Sequence, residues 1–235
     1  MPLPLLIPAA LATATLTLRS DTQPVKVYVR KPRGTLYWGG AGLNGDYILP
    51  TLQALQSAGI QHVNVGLNNS ASRVLTSGPG TMLDAVRAGL VIRFRDDAEW
   101  TIGSGMASQG KQFNLIGYSY GSLLAAQTAN FYARCGHKVD HLVLIASPID
   151  RDFLRDLQTH SCIGKVVVID LTDQGDHLHA GITQLELLRP EGLAKLGKDM
   201  LQAQGRGHFY YGHAVPDLPR RLERLAQRIA AEGLS

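Results

Sequence analysis

Residues 113–126 constrain this chain more tightly than any other stretch. A short apolar run, Phe113-Asn114-Leu115-Ile116, enters Gly117-Tyr118-Ser119-Tyr120-Gly121 and continues as Ser122-Leu123-Leu124-Ala125-Ala126. An apolar strand, a G-x-S-x-G turn and an Ala/Leu-rich helix, in that order, form the signature of a nucleophile elbow. In that element a serine sits on a strained strand-to-helix turn with its hydroxyl exposed. The two glycines have a mechanical reason, since strand and helix backbones pass too closely there for side chains at 117 and 121. Ala125 and Ala126 let the following helix lie close to a sheet. The five-residue pattern alone recurs by chance, and its flanks are what make it specific.

The rest of the chain supplies the sheet that such an elbow needs. Residues 11–19 and 25–29 alternate apolar and polar about the turn cluster Ser20-Asp21-Thr22-Gln23-Pro24, which predicts an N-terminal β-hairpin. Residues 35–38 form a further short strand. Residues 47–58 read as a helix ended by Gly59, with Ile48, Leu52 and Leu55 on one stripe. A strand follows over 60–67, a helix over 80–92, and only a short helix within 93–111. Strands at 141–148 and 165–170 are separated by a gap with room for one short helix and no large cap. Residues 177–206 are helical in pieces, 205–211 form an end strand or the loop beside it, and 216–231 form an amphipathic helix. Apolar strands alternating with helices predict an α/β fold with a mostly parallel central sheet, helices on both faces and a minimal cap. The length of 235 residues suits one such domain spanning the chain.

Composition removes several function classes. Hydrophobic residues at 45% and charged residues at 18% describe a globular chain with a lightly charged surface. The net charge of +4 comes without a dense Lys/Arg run interleaved with aromatics, so no nucleic-acid partner is expected. Cys135 and Cys162 have no C-x-x-C spacing and read as free thiols, with a single disulfide between them as the other reading. Residues 1–18 hold no Lys or Arg and are broken by Pro2, Pro4 and Pro8, against both a secretory signal and a membrane span. The expected location is cytoplasmic, or outside the cell after export without a cleaved signal.

An activated serine needs a base within hydrogen-bond reach and an acid to orient that base. The turn Asp170-Leu171-Thr172-Asp173-Gln174-Gly175-Asp176-His177 follows a strand, where open α/β sheets place function. Gly207-His208-Phe209 then offers a histidine ahead of the last helix, with His213, His177 and His179 as other candidates. The run Gly39-Gly40-Ala41-Gly42-Leu43-Asn44-Gly45 lacks both the later acidic residue of a dinucleotide site and the Gly-Lys-Ser/Thr of a phosphate loop. It fits better as an oxyanion loop, whose glycines let a backbone N–H face developing negative charge. Asp173, Asp176, His177 and His179 match no metal-ligand spacing, and no metal or other cofactor is expected.

These motifs together resemble the α/β-hydrolase superfamily, of the esterase, lipase and thioesterase kind, over roughly residues 34–230. The resemblance implies Ser119 as nucleophile, His208 as general base and an aspartate behind it: Asp176, with Asp173 as the alternative and Asp170 also eligible. It implies oxyanion donors at the N–H of Tyr120 and in the loop 39–43, at Gly40 or Ala41. Trp38 and Tyr118 flank these elements as candidate substrate contacts, with core packing as the other reading. The expected function is hydrolysis of a carboxylic ester or thioester, on a small molecule or a lipid, through an acyl-enzyme. Two alternatives stand beside it: a lipase or phospholipase of the bacterial-effector kind, and a non-catalytic binding protein that keeps the elbow. The arginines at 220, 221, 224 and 228 permit peripheral contact with an anionic membrane, or form a solvated helix face.

Overall fold

The computed structural model describes residues 31–41, 45–66, 84–86, 88–96 and 110–235. The hairpin expected at 11–29 and most of the segment 93–111 lie outside these residues.

Among the described residues five strands form one wholly parallel sheet: β1 (Gly34–Trp38), β2 (Val63–Val65), β3 (Phe113–Tyr118), β4 (Val139–Ile145) and β5 (Ile163–Ile169). Their spatial order is β2-β1-β3-β4-β5. The helices are α1 (Ile48–Ser57), α2 (Tyr120–Arg134), α3 (Arg151–Thr159), α4 (Gln184–Leu187), α5 (Pro190–Gln202) and α6 (Leu218–Ala231). The expected α/β class with a parallel sheet is what the chain adopts.

Period-two alternation sorts each strand onto two cores. Leu36, Leu115, Leu142 and Leu144 face one core with α2 and α3, which includes Leu123, Ala126, Phe153 and Leu157. Tyr37, Ile116, Val143 and Ile145 face the other with α1 and α6, which includes Leu55, Leu222, Leu225 and Ile229. Each fully buried leucine or isoleucine contributes about 1.5–3 kcal/mol. The apolar stripe of α6 thus ties the C-terminal end of the chain to the sheet.

Two strand boundaries differ from the sequence reading for a clear backbone reason, and the choice left open over 205–211 falls to the loop. β2 begins only at Val63 because Ile60 N–H closes α1 on Leu55 O and His62 takes φ 53°. β4 stops at Ile145 because Ala146 turns to φ 47°. No strand forms over 205–211. Gly205 and Gly207 adopt φ 59° and 54°, which a strand excludes, and Gly207–Phe209 is a 3₁₀ turn. Residues 84–86 are helical, and Ala88–Ile92 forms a π-helical turn.

The strand order sets where a site can form. β1 has β2 on one side and β3 on the other, so the connections after β1 and β3 leave the sheet in opposite directions. That reversal falls at the carboxyl ends of those two strands, the place where open parallel sheets form a ligand crevice. Ala41 follows the end of β1 and Ser119 the end of β3.

Candidate active site

Ser119 has φ 54° and ψ −122°, a conformation that costs a non-glycine residue on the order of 1–3 kcal/mol. The surroundings over-determine it. A Cβ on Gly117 would fall 2.3 Å from Gly121 O, and one on Gly121 would fall 2.2 Å from Gly39 O. Both glycines therefore allow the close approach that the sequence predicted. Ser119 N–H donates to Ile145 O at 2.8 Å, pinning the turn to β4. Ser122 donates through both N–H and Oγ to Ser119 O.

The turn after β5 delivers one of the three candidate aspartates to the site. Thr172–Gln174 forms a single 3₁₀ turn, Gly175 takes φ 83°, and Asp176 N–H bonds back to Leu171 O at 3.1 Å. This reversal buries Asp176 and leaves Asp173 exposed. Asp176 Oδ1 accepts from Leu178 N–H at 2.9 Å, and Oδ2 lies 2.8 Å from His208 Nδ1. Asp170 is engaged elsewhere, accepting from Ala180 N–H at 2.9 Å, and burial pushes its carboxyl above the usual range. Asp173, the alternative acid, is exposed on this turn, while Asp176 is the one beside His208.

His208 arrives on a loop held from several sides. Arg221 Nη1 donates to Gly205 O at 2.6 Å and to Tyr210 O at 3.0 Å, clamping the loop to α6. Tyr118 Oη donates to the His208 carbonyl. Gly207 fits against α5, where an added Cβ would lie 2.6 Å from Asp199 Oδ2. The imidazole is 6% exposed as a residue, and its Nε2 stands 2.6 Å from Ser119 Oγ. With the Nδ1 proton directed at Asp176, Nε2 is left as an acceptor for the serine hydroxyl. His213 instead stacks on Phe209, centroids 4.8 Å apart, and accepts from Gly205 N–H. His177 is exposed and His179 is half-buried with Nδ1 3.2 Å from Ala180 O.

Residues 98–191 match the family model of the thioesterase domain. That is an α/β-hydrolase-type family. The matched span takes in the elbow, β3 to β5 and Asp176, and it stops short of His208. No curated protein and no solved structure matches the chain. The thioesterase match supports hydrolase-type chemistry on acyl esters or thioesters.

Three further site expectations meet the geometry differently. Tyr120 is the first residue of α2, so its N–H stands at the positive end of the helix beside Ser119. Gly40 N–H, one of the two oxyanion candidates in the loop after β1, donates to Tyr47 Oη at 2.5 Å, and Ala41 is the next residue of that loop. Trp38 is wholly buried among Leu36, Ile92, Leu115 and Leu123, and Gly66 packs on its ring. Of the two readings open for it, these surroundings are those of core packing.

Tyr47 is the residue sequence reasoning missed. Gly39 and Gly45 make room for its phenol: an added Cβ would come 2.9 Å from Tyr47 Oη at Gly39 and 2.2 Å from the ring at Gly45. A tyrosine two residues past the last glycine of that loop was the available signal. Among the described residues no helix is long and apolar enough to cross a membrane.

Proposed function

We propose that this protein hydrolyses acyl esters or thioesters through an acyl-enzyme on Ser119. The observation that carries this reading is the continuous hydrogen-bonded row from Ser119 Oγ through His208 to Asp176, with contacts of 2.6 and 2.8 Å. Ser119 Oγ attacks the acyl carbon as His208 Nε2 takes its proton. Asp176 holds the ring in the required tautomer and stabilises the imidazolium that forms. The N–H groups of Tyr120 and Ala41 receive the oxyanion, the first aided by the N-terminus of α2. Collapse expels the alcohol or thiol, which takes the proton from His208. Water activated by the same imidazole then releases the acid.

Between oxygen ester and thioester, the family match favours the thioester. The test is labelling of the purified protein with a fluorophosphonate, mapped by peptide mass spectrometry, beside Ser119→Ala and His208→Ala. Labelling on Ser119 that is absent from both variants supports the reading. Panels of acyl thioesters and esters of increasing chain length, with and without liposomes, then rank substrates. Activity that rises sharply on liposomes moves the assignment to a lipase. A folded protein whose Ser119 never labels overturns the enzyme and leaves a binding protein on the same fold.

A further inference from the structure

We propose that the hydroxyls of Tyr47 and Tyr118 are positioning groups for the Ser119 site, one fixing the loop after β1 and the other fixing the His208 loop. The inference rests on the acyl-enzyme reading and adds two residues that do not themselves touch the reacting atoms.

The two rings form one unit. They meet edge to face at a centroid separation of 5.6 Å and an interplanar angle of 82°. From this unit the two hydroxyls reach in different directions. Tyr47 Oη accepts from Gly40 N–H, and Gly40 sits beside the elbow: its absent Cβ position is 3.2 Å from Tyr47 Oη and in ordinary contact, 3.5 Å, with Ser119 Cβ and Tyr118 Cε1. Tyr118 Oη donates to the His208 carbonyl, while its ring lies nearly parallel to the imidazole at 6.0 Å and 20°. Tyr118 also immediately precedes Ser119, so elbow, histidine loop and oxyanion loop converge on one pair of phenols.

The chemistry explains why the loops need such anchors. Neither is part of the sheet: the residues after Trp38 leave β1, and Gly207–Phe209 is a single 3₁₀ turn. A displacement of about 1 Å at a reacting group can cost on the order of 100-fold in rate. Burial keeps both anchors neutral at working pH, raising the Tyr47 phenol to about 12 and the Tyr118 phenol well above its ordinary value. Tyr118 therefore remains a donor throughout. This reassigns Tyr118, which the sequence offered as a substrate contact.

The test uses Tyr118→Phe, Tyr47→Phe and the double variant, which keep the rings and delete the hydroxyls, with Tyr211→Phe as a neighbouring control. Each is followed by fluorophosphonate labelling rate, by the kcat and KM split, and by the low-field NMR resonance of the proton between His208 Nδ1 and Asp176. Expected is a fall of about 10- to 100-fold in labelling rate and kcat for each single variant, with KM nearly unchanged. The low-field resonance should shift or broaden in Tyr118→Phe and stay in place in Tyr47→Phe. The control stays at the wild-type rate.

Labelling and kcat within twofold of wild type in both variants, with an unmoved resonance, overturns the inference. If one variant fails to fold, the other still decides its own anchor. If both do, the hydroxyls serve stability and the positioning role is wrong. A wild-type protein that never labels sinks the acyl-enzyme reading, and the NMR comparison still reports separately whether Tyr118 holds His208.

Discussion

Asp176 Oδ2 lies 2.8 Å from His208 Nδ1, although 32 positions separate the two residues in the chain. Both side chains are almost entirely removed from water, at 2% and 7% exposure. Burial of the pair removes competing water from the bond and fixes the ring's face toward Ser119. Three candidate acids were open from the sequence, and Asp176 is the one that lies against His208.

That selection gives a direct mutational contrast. Asp176→Asn should lower kcat by about 1,000-fold or more by presenting the wrong hydrogen-bonding group to Nδ1. Asp173→Asn should stay within about twofold, because its carboxylate is exposed and an exposed polar substitution is usually near neutral. Steady-state rates on one chromogenic ester decide between them, and equal losses would reject Asp176 as the acid.

Strain at the elbow should trade stability against reactivity. Ser119→Ala and Ser119→Gly both lose the nucleophile, with activity falling by about 10,000-fold or more. They differ in backbone cost, since glycine accepts φ 54° and alanine does not. Ser119→Gly is expected to be more stable than Ser119→Ala by about 1 kcal/mol in urea unfolding.

Close approach at the flanking glycines predicts a larger effect. A methyl group at position 121 would meet Gly39 O at 2.2 Å, and backbone cannot swing aside as a flexible side chain can. Gly121→Ala should cost about 3 kcal/mol or more of stability and separate β1 from α2. Circular dichroism melts would measure it, and a variant as stable as wild type would show the contact to be relaxed at little cost.

Arg93 is fully buried. Its guanidinium donates to Pro148 O at 3.0 Å, to Gln184 Oε1 at 2.7 Å and to Ile182 O, and burial lowers its pKa. It thus joins the loop after β4 to the start of α4. Arg93→Ala strands two buried carbonyls and should cost about 2–4 kcal/mol. Chemical denaturation would show it as a lowered midpoint.

Stability should also fall on mild acidification. Burial holds the His141 imidazole below its ordinary 6.5, against the pull of Asp140, and His213 is likewise lowered. A histidine depressed in the folded state binds its proton more readily when unfolded. Its contribution is therefore complete above 6.5 and is lost as pH falls through that value toward the folded pKa. Asp170 runs the other way, since its raised pKa favours the folded state most under acid conditions and loses that contribution as pH rises past its folded value. Unfolding free energies between about pH 7.5 and about pH 5 should decline, and His141→Gln should flatten the decline.

Much of this architecture could be read from residue order. Strands β1, β3, β4 and β5, helices α1, α3 and α6, and the elbow follow from apolar runs, periodicity and glycine placement, all of which act over a few residues. Ser119 was legible for the same reason, because its neighbours within the motif impose its geometry. His208 was readable from its family-like surroundings but stood among other histidines. Gly205–Tyr211 could be misread as a strand because only positive φ at Gly205 and Gly207 excludes one.

What the sequence alone determined was the set of local elements and the identity of the strained serine. Tertiary structure decided which aspartate meets His208, whether Trp38 faces core or crevice, and what the glycines after β1 accommodate. The physical reason is range. Periodicity and backbone sterics are local, whereas Asp176, His208, Tyr47 and Gly40 acquire their partners only when the sheet closes and separate loops share one crevice. A hydrogen bond made across 32 residues leaves no spacing rule in the chain, and only the folded backbone selects it.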